Sequence, residues 1–277
     1  MGNRSPSQVP RASSAPPPLR RQLRSSRLPP RFASLLWLLQ KPSHGPKPRL
    51  ESLRMATTQD VPASDNRLVW YAGYGSNLLR HRFELYIKGG KPQGSKKEYA
   101  GCRDKTAPQG DQAITLQGEL YFADRSTGWE AAVAFIRPTH PRATTYGRMF
   151  LITYGQFNDV FRQENGKRMP GAVIVPPYEQ LTRATEWQIE GVRLYGRMMK
   201  IGTQGEYPIL TFSATRNDFV IGAPSEAYIQ MIVAGLEETY PCMLKSAILE
   251  YLGHADGIRD KIPADVLTRW ILGNRVL

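Results

Sequence analysis

Three short stretches of this 277-residue chain combine residue types and spacings that suit chemistry. The first is Tyr74-Gly75-Ser76-Asn77. Gly75 permits a sharp turn and the close approach of a ligand, and Ser76 or Asn77 suits the N-cap of a following helix. The free N–H groups and positive dipole end of such a helix suit a carboxylate or phosphate. The competing reading is an ordinary capped turn. The second is Glu164, seven residues after Phe157 and therefore nearly two helical turns along the apolar face that Phe157, Val160 and Phe161 mark. A carboxylate there is solvated, paired with Arg148 or Arg168, or raised in pKa by desolvation. The last state is the one a general acid/base needs near neutrality. The third is Pro224-Ser225-Glu226-Ala227-Tyr228. Pro224 and Ser225 set a helix start, and Tyr228 in the first turn offers a hydroxyl to a neighbouring ligand or fills a half-buried core position.

Other reactive residue types lack the spacing their chemistry requires. His44, His81, His140 and His254 stand far apart, and Cys102 and Cys242 are the two cysteines. No metal site and no disulfide framework is expected from them. Ser76 lies in Gly-Ser-Asn and not in a G-x-S-x-G elbow. His81 reads as a surface residue, Cys102 as an unpartnered thiol, and Trp129, Trp187 and Trp270 as packing residues.

The elements that must position these residues follow from periodicity. Leu68 to Tyr74 reads as a buried strand ending at Gly75. Leu79, Phe83, Tyr86 and Ile87 define one face of a helix that Gly89-Gly90 ends. Residues 101–112 read as loop. Strands are expected at 113–122, 130–136, 146–152, 173–175, 192–200 and 209–212. A helix is expected over 155–164, with Thr153 and Gln156 forming a capping box and Asn165-Gly166 ending it. Three further helices are expected at 225–238, 241–252 and 263–272. Strands and crossover helices do not alternate, so a doubly wound sheet is disfavoured. The expected class is α+β, a small mixed, strongly curved or barrel-like sheet with flanking helices.

Charge divides the chain. Residues 1–54 hold 11 Lys and Arg and one acid, Glu51, while the remainder holds 26 basic and 23 acidic residues. The near-neutral body gives no reason to expect a nucleic-acid surface there. Residues 1–65, rich in Pro, Ser and Arg, are expected to be a disordered tail, and 66–277 a single domain with a C-terminal helical extension. Three readings of residues 1–54 compete: an organelle transit peptide, an upstream extension before Met55, and a polybasic arm for RNA or anionic membrane. A cytoplasmic protein is expected, or a mitochondrial or other organellar one if those residues act as a transit peptide. The longest apolar run, Phe32 to Leu39, falls well short of the roughly 20 residues that span a bilayer.

The ordered set of motifs resembles one family. Tyr74-Gly75-Ser76-Asn77-Leu78 resembles the YGSN signature of the γ-glutamylcyclotransferases. Gly128-Trp129-Glu130-Ala131-Ala132-Val133-Ala134 resembles their tryptophan-plus-small-residue strand, and Tyr146 to Ile152 their "xGxxWxM" strand. Glu164 follows Gly147 at the spacing of the family's catalytic glutamate, and Pro224 to Tyr228 resembles the PSxxY segment. The resemblance covers roughly residues 68–252. The chain departs from the pattern at Glu130 and Ala131, commonly Gly-Gly in the family, and at Asn165 and Gly171, where some members have glycine and tyrosine. The stretch from Lys88 to Gln112 is long for the family.

The resemblance implies a small mixed barrel and an enzyme that cyclises a γ-glutamyl group to 5-oxoproline, releasing an amino acid, peptide or amine. It implies no metal or organic cofactor and a small-molecule γ-glutamyl substrate as partner. It assigns Glu164 as the acid/base, Tyr74, Gly75, Ser76, Asn77 and Leu78 as holding the γ-glutamyl moiety, and Tyr228 as a substrate contact. The alternatives are an enzyme specific for γ-glutamylamines or glutathione adducts, and a catalytically silent binding domain of the same fold. The oligomeric state is left open.

Overall fold

The apolar run Leu68–Gly73 forms β1, buried along nearly its whole length because it is paired on both sides. The structure, a computed structural model, describes residues 65–137, 143–166 and 175–273, apart from positions 215 and 217. The expectations for residues 1–64, and for Arg168 and Gly171, fall outside these residues. The remaining strands are β2 (Gly110–Gln117), β3 (Glu119–Ala123), β4 (Val133–Arg137), β5 (Thr144–Thr153), β6 (Glu186–Gln188), β7 (Arg197–Gln204) and β8 (Tyr207–Ser213). The helices are α1 (Arg80–Lys88), α2 (Tyr154–Glu164), α3 (Glu226–Thr239), α4 (Lys245–Gly253) and α5 (Ala264–Leu272).

The fold class is α+β. A six-stranded sheet has the order β2-β5-β1-β8-β7-β6, and β1 and β8 are its parallel pair. This is the expected mixed sheet with flanking helices; it is not closed into a barrel, and β3 and β4 form a separate two-stranded ribbon. A side chain ties the ribbon to the sheet. Ser213 at the end of β8 donates to the Ile136 carbonyl at 2.8 Å and accepts from the Ile136 N–H at 2.9 Å.

The single strand expected over 113–122 breaks at Gly118, whose φ of +130° suits glycine alone. A Cβ there would lie 2.6 Å from the Ile136 side chain and 2.7 Å from the Arg137 carbonyl. The chain thus leaves the sheet at Gly118 and starts the ribbon. The strand expected over 192–200 is shifted to β7, and Val175 is the one described residue of the strand expected at 173–175.

The helices flank the sheet and bury their apolar faces in one core. Ile248 and Leu252 of α4 and Leu267 and Ile271 of α5 belong to the same buried cluster as β1 and α2. α4 begins at Lys245, later than expected from Pro241. Among the described residues no helix is long and apolar enough to cross a membrane.

Candidate functional site

The C-terminal end of β1, the end of α2 and the start of α3 meet at a cavity of about 190 Å³. Each approaches with a locally encoded geometry. After Gly73 the chain makes a short 3-10 turn over Ser76–Leu78 before α1 begins at Arg80. The expectation that Ser76 or Asn77 caps a regular helix is therefore corrected: Leu79 holds the N-cap position of α1, without a side-chain cap. Gly75 has φ −105°, so its small size matters here and not a left-handed backbone. A Cβ on Gly75 would lie 2.8 Å from the Tyr228 hydroxyl and 3.2 Å from the Ala134 Cβ.

α2 is held at both ends. Thr153 and Gln156 form the expected capping box, and Gln156 also donates through Nε2 to the Asp104 and Thr106 carbonyls. Asp159, wholly buried, accepts from the Arg103 N–H at 2.9 Å and pairs with its guanidinium at 2.8 Å. Gln163 donates to the Tyr86 carbonyl at 2.9 Å and accepts from the Gly101 N–H at 3.2 Å. The segment read as plain loop is thus a clamp on α2. At the helix C-terminus Lys97 donates to the Gln163 carbonyl at 2.6 Å, a favourable place for a cation. Burial of its ammonium lowers the Lys97 pKa.

This clamp delivers Glu164 to the cavity. It is half-buried, and Asn77 Nδ2 donates to its Oε1 at 2.8 Å. The same Asn77 nitrogen donates to the Tyr71 hydroxyl at 3.0 Å, while Asn77 Oδ1 is buried without a hydrogen-bond partner. The partner found for this carboxylate is Asn77 and not the expected Arg148. Arg148 instead pairs with Asp111 and Glu238.

Ser225 caps α3 by accepting from the Tyr228 N–H, which fixes Tyr228 in the first turn. The Ala134 N–H donates to the Tyr228 hydroxyl oxygen at 3.2 Å, and the Ser76 amide faces it too. Burial pushes the Tyr228 pKa up to about 12, against the opposing pull of the Ala134 N–H and with a further push from the Glu164 charge. The phenol is neutral across the physiological range.

Tyr74, Gly75, Ser76, Asn77, Glu164 and Tyr228 all line this cavity. Leu78 does not: it is fully buried and packs against Gly235 of α3, where a Cβ would lie 2.5 Å from the Leu78 Cβ. The Tyr74 hydroxyl donates to the Phe212 carbonyl at 2.8 Å.

Several cavity residues escaped the sequence reading: Arg82, Tyr86, Lys97, Tyr99 and Tyr195. Arg82 and Tyr86 are one helical turn apart on α1, a usable sign of contact. Nothing local marks Tyr195, which is held by Asn165 through the Tyr195 N–H at 2.9 Å. Trp129, read as packing, is buried and also lines the cavity. His81 is exposed, as read; the Cys102 thiol, read as unpartnered, is buried and donates to the Tyr86 carbonyl at 3.3 Å.

No family-wide sequence description matches this chain. A 188-residue stretch is 33% identical to histone deacetylase 5 of Arabidopsis thaliana, covering 61% of this chain and 28% of that protein's length. Among solved structures, one titled gamma-glutamyl cyclotransferase shares 18% identity with a TM-score of 0.42, over 69% of this chain and 89% of that one. An uncharacterised protein from Homo sapiens also shares 18% identity, with a TM-score of 0.39, over 68% of this chain and 88% of the other.

Proposed function

We propose that this chain is a γ-glutamylcyclotransferase-type enzyme that converts a γ-glutamyl amino acid or peptide to 5-oxoproline and a free amine. One observation carries the reading: a half-buried carboxylate, Glu164, is hydrogen-bonded by Asn77 of the Tyr74–Asn77 turn inside a cavity that also holds the Tyr228 hydroxyl. The motif resemblance supplies the reaction, and this juxtaposition suits it.

The substrate's neutral α-amine attacks its own γ-carbonyl carbon. A C–N bond forms, the carbonyl oxygen takes the negative charge, and the amine proton passes to Glu164. The Glu164 proton then goes to the leaving nitrogen, the original C–N bond breaks, and the carbonyl is restored. One carboxylate serves as base and then acid. Asn77 holds Oε1, leaving Oε2 to move the proton. The neutral Tyr228 hydroxyl is a hydrogen-bond donor for the developing oxyanion. Because the attack is intramolecular, a cavity that folds the substrate on itself supplies much of the rate.

The activity named for histone deacetylase 5 is not proposed here, since the aligned stretch is 28% of that protein.

The test is incubation of the full chain with a panel of γ-glutamyl amino acids, peptides and amines, followed by mass spectrometry for 5-oxoproline. Product from the wild type, and at least about 100-fold less from Glu164→Gln, is expected. Binding without product would support the silent-domain alternative. Equal turnover by the variant would remove Glu164 from the mechanism.

A further inference from the structure

Arg82 on α1 is 1% exposed, yet its charge has no carboxylate partner among the described residues. Its Nη2 donates to the Tyr86 hydroxyl at 3.1 Å and to the Tyr99 hydroxyl at 2.9 Å, and the guanidinium carbon lies 4.5 and 4.7 Å from the two ring centroids. Nε and Nη1 are buried and meet no acceptor. Burial works against this charge, the two phenols and the Glu164 carboxylate favour it, and two of its nitrogens still lack the acceptors that a buried guanidinium requires. Arginine stays charged at any working pH, so it does not escape that cost by losing its proton.

The surroundings show where the missing partner belongs. Arg82 lines the cavity that holds Glu164. Arg82, Lys97 and Arg193 are the cations among the lining residues, and Glu164 is the carboxylate. Arg193 is already paired with Asp124 at 3.0 Å, and Lys97 gives one of its three N–H donors to the Gln163 carbonyl. Of the three, Arg82 is the one whose unpartnered donors, Nε and Nη1, are buried. A guanidinium walled by two aromatic rings suits a carboxylate, which it would bind by charge-assisted hydrogen bonds.

We propose that Arg82 is the carboxylate receptor of this cavity: its unused guanidinium donors take a carboxylate of the bound substrate and select acidic γ-glutamyl compounds over neutral ones. The choice of substrate rests on the cyclotransferase reading; the need for an anion at Arg82 does not. A γ-glutamyl amino acid brings two carboxylates, one on the glutamyl α-carbon and one on the leaving amino acid. The chemistry at Arg82 is the same for either.

Three probes separate them, each with the full chain. γ-Glutamyl-alanine carries both carboxylates, γ-glutamyl-alaninamide lacks the leaving-side one, and 4-aminobutyryl-alanine lacks the α-carboxylate. In the wild type, removing the carboxylate that Arg82 receives should lower kcat/KM at least about tenfold, mostly through KM, the scale of one charge-assisted hydrogen bond. In Arg82→Gln that discrimination should shrink to within about twofold, and Arg82→Lys should retain part of it. Each ratio is internal to one preparation, so a partly unfolded sample does not alter it. Arg82→Met fills the space between the rings and replaces the glutamine variant if that one does not fold.

Discrimination that survives in folded Arg82→Gln or Arg82→Met overturns the proposal, as does a wild type indifferent to both carboxylates. If the chain turns over none of the probes, the cyclotransferase reaction fails instead. The same ratios are then read as dissociation constants by calorimetry, so the two failures stay distinct.

Discussion

Gly75 shows how much of the site depends on single atoms. A Cβ there meets the Tyr228 hydroxyl at 2.8 Å, and that hydroxyl is tethered to the Ala134 N–H in the cavity wall. Gly75→Ala should displace Tyr228 and lower kcat at least about tenfold, the scale of a lost oxyanion contact or less. The melting temperature should fall as well, because ψ of −138° lies outside the regions alanine favours and the added methyl also meets the Ala134 Cβ at 3.2 Å. Steady-state kinetics with a thermal melt checks both, and unchanged kcat would show that Tyr228 is not needed where it stands. Glu164 was legible in sequence because a capping box, an apolar stripe and an Asn-Gly stop fix both its phase and its position at the helix end. Arg82 was not. Its burial depends on Tyr99, which approaches across an irregular segment whose path no periodicity reveals.

At the scale of elements, α2 is the lever that sets the carboxylate. Thr153→Ala removes the side chain that accepts from the Gln156 N–H and should cost about 1 kcal/mol. That corresponds to a fall in melting temperature of roughly 2–4 °C for a domain of this size. Turnover by the folded fraction should be nearly unchanged, because Arg103, Lys97 and Gln163 still hold the helix. A large kcat loss at full folding would mean that the cap positions Glu164 directly. The sequence reading placed α2 and α3 within a residue or so, because both carry capping side chains. It began α1 and α4 too early, and there the chain has leucine at the N-cap, with no polar side chain to mark the start. The break at Gly118 was hidden because β2 and β3 read as one β-prone run, and a φ of +130° is visible only in three dimensions.

The whole molecule buries tyrosine hydroxyls around the cavity, and this has a signature at high pH. Burial holds the Tyr71, Tyr74, Tyr86 and Tyr195 hydroxyls well above their ordinary value of 10, and Tyr228 at about 12. In the unfolded chain these groups ionise near pH 10, while in the folded chain they keep their protons. The folded state therefore binds more protons, and stability falls as pH rises above about 10. Melting temperature should be lost steeply between about pH 10 and 12, with tyrosinate absorbance from the buried cavity tyrosines rising only as the chain unfolds. Stability unchanged to pH 12, or the full tyrosinate absorbance of the unfolded chain reached while it is still folded, would contradict the buried-hydroxyl arrangement. The α+β class was legible from element order, but the sheet order was not. β1 pairs in parallel with β8, joining residues near 70 to those near 210, a contact with no local trace.

The most direct test of the proposed chemistry follows the oxygen atoms. The full chain is incubated with γ-glutamyl-alanine in water enriched in heavy oxygen, and the products are weighed by mass spectrometry. Intramolecular attack uses no water, so the account predicts unlabelled 5-oxoproline and alanine. Glutamate carrying the heavy oxygen would show that water is the nucleophile, and would contradict a cavity built to fold the substrate on itself around Glu164.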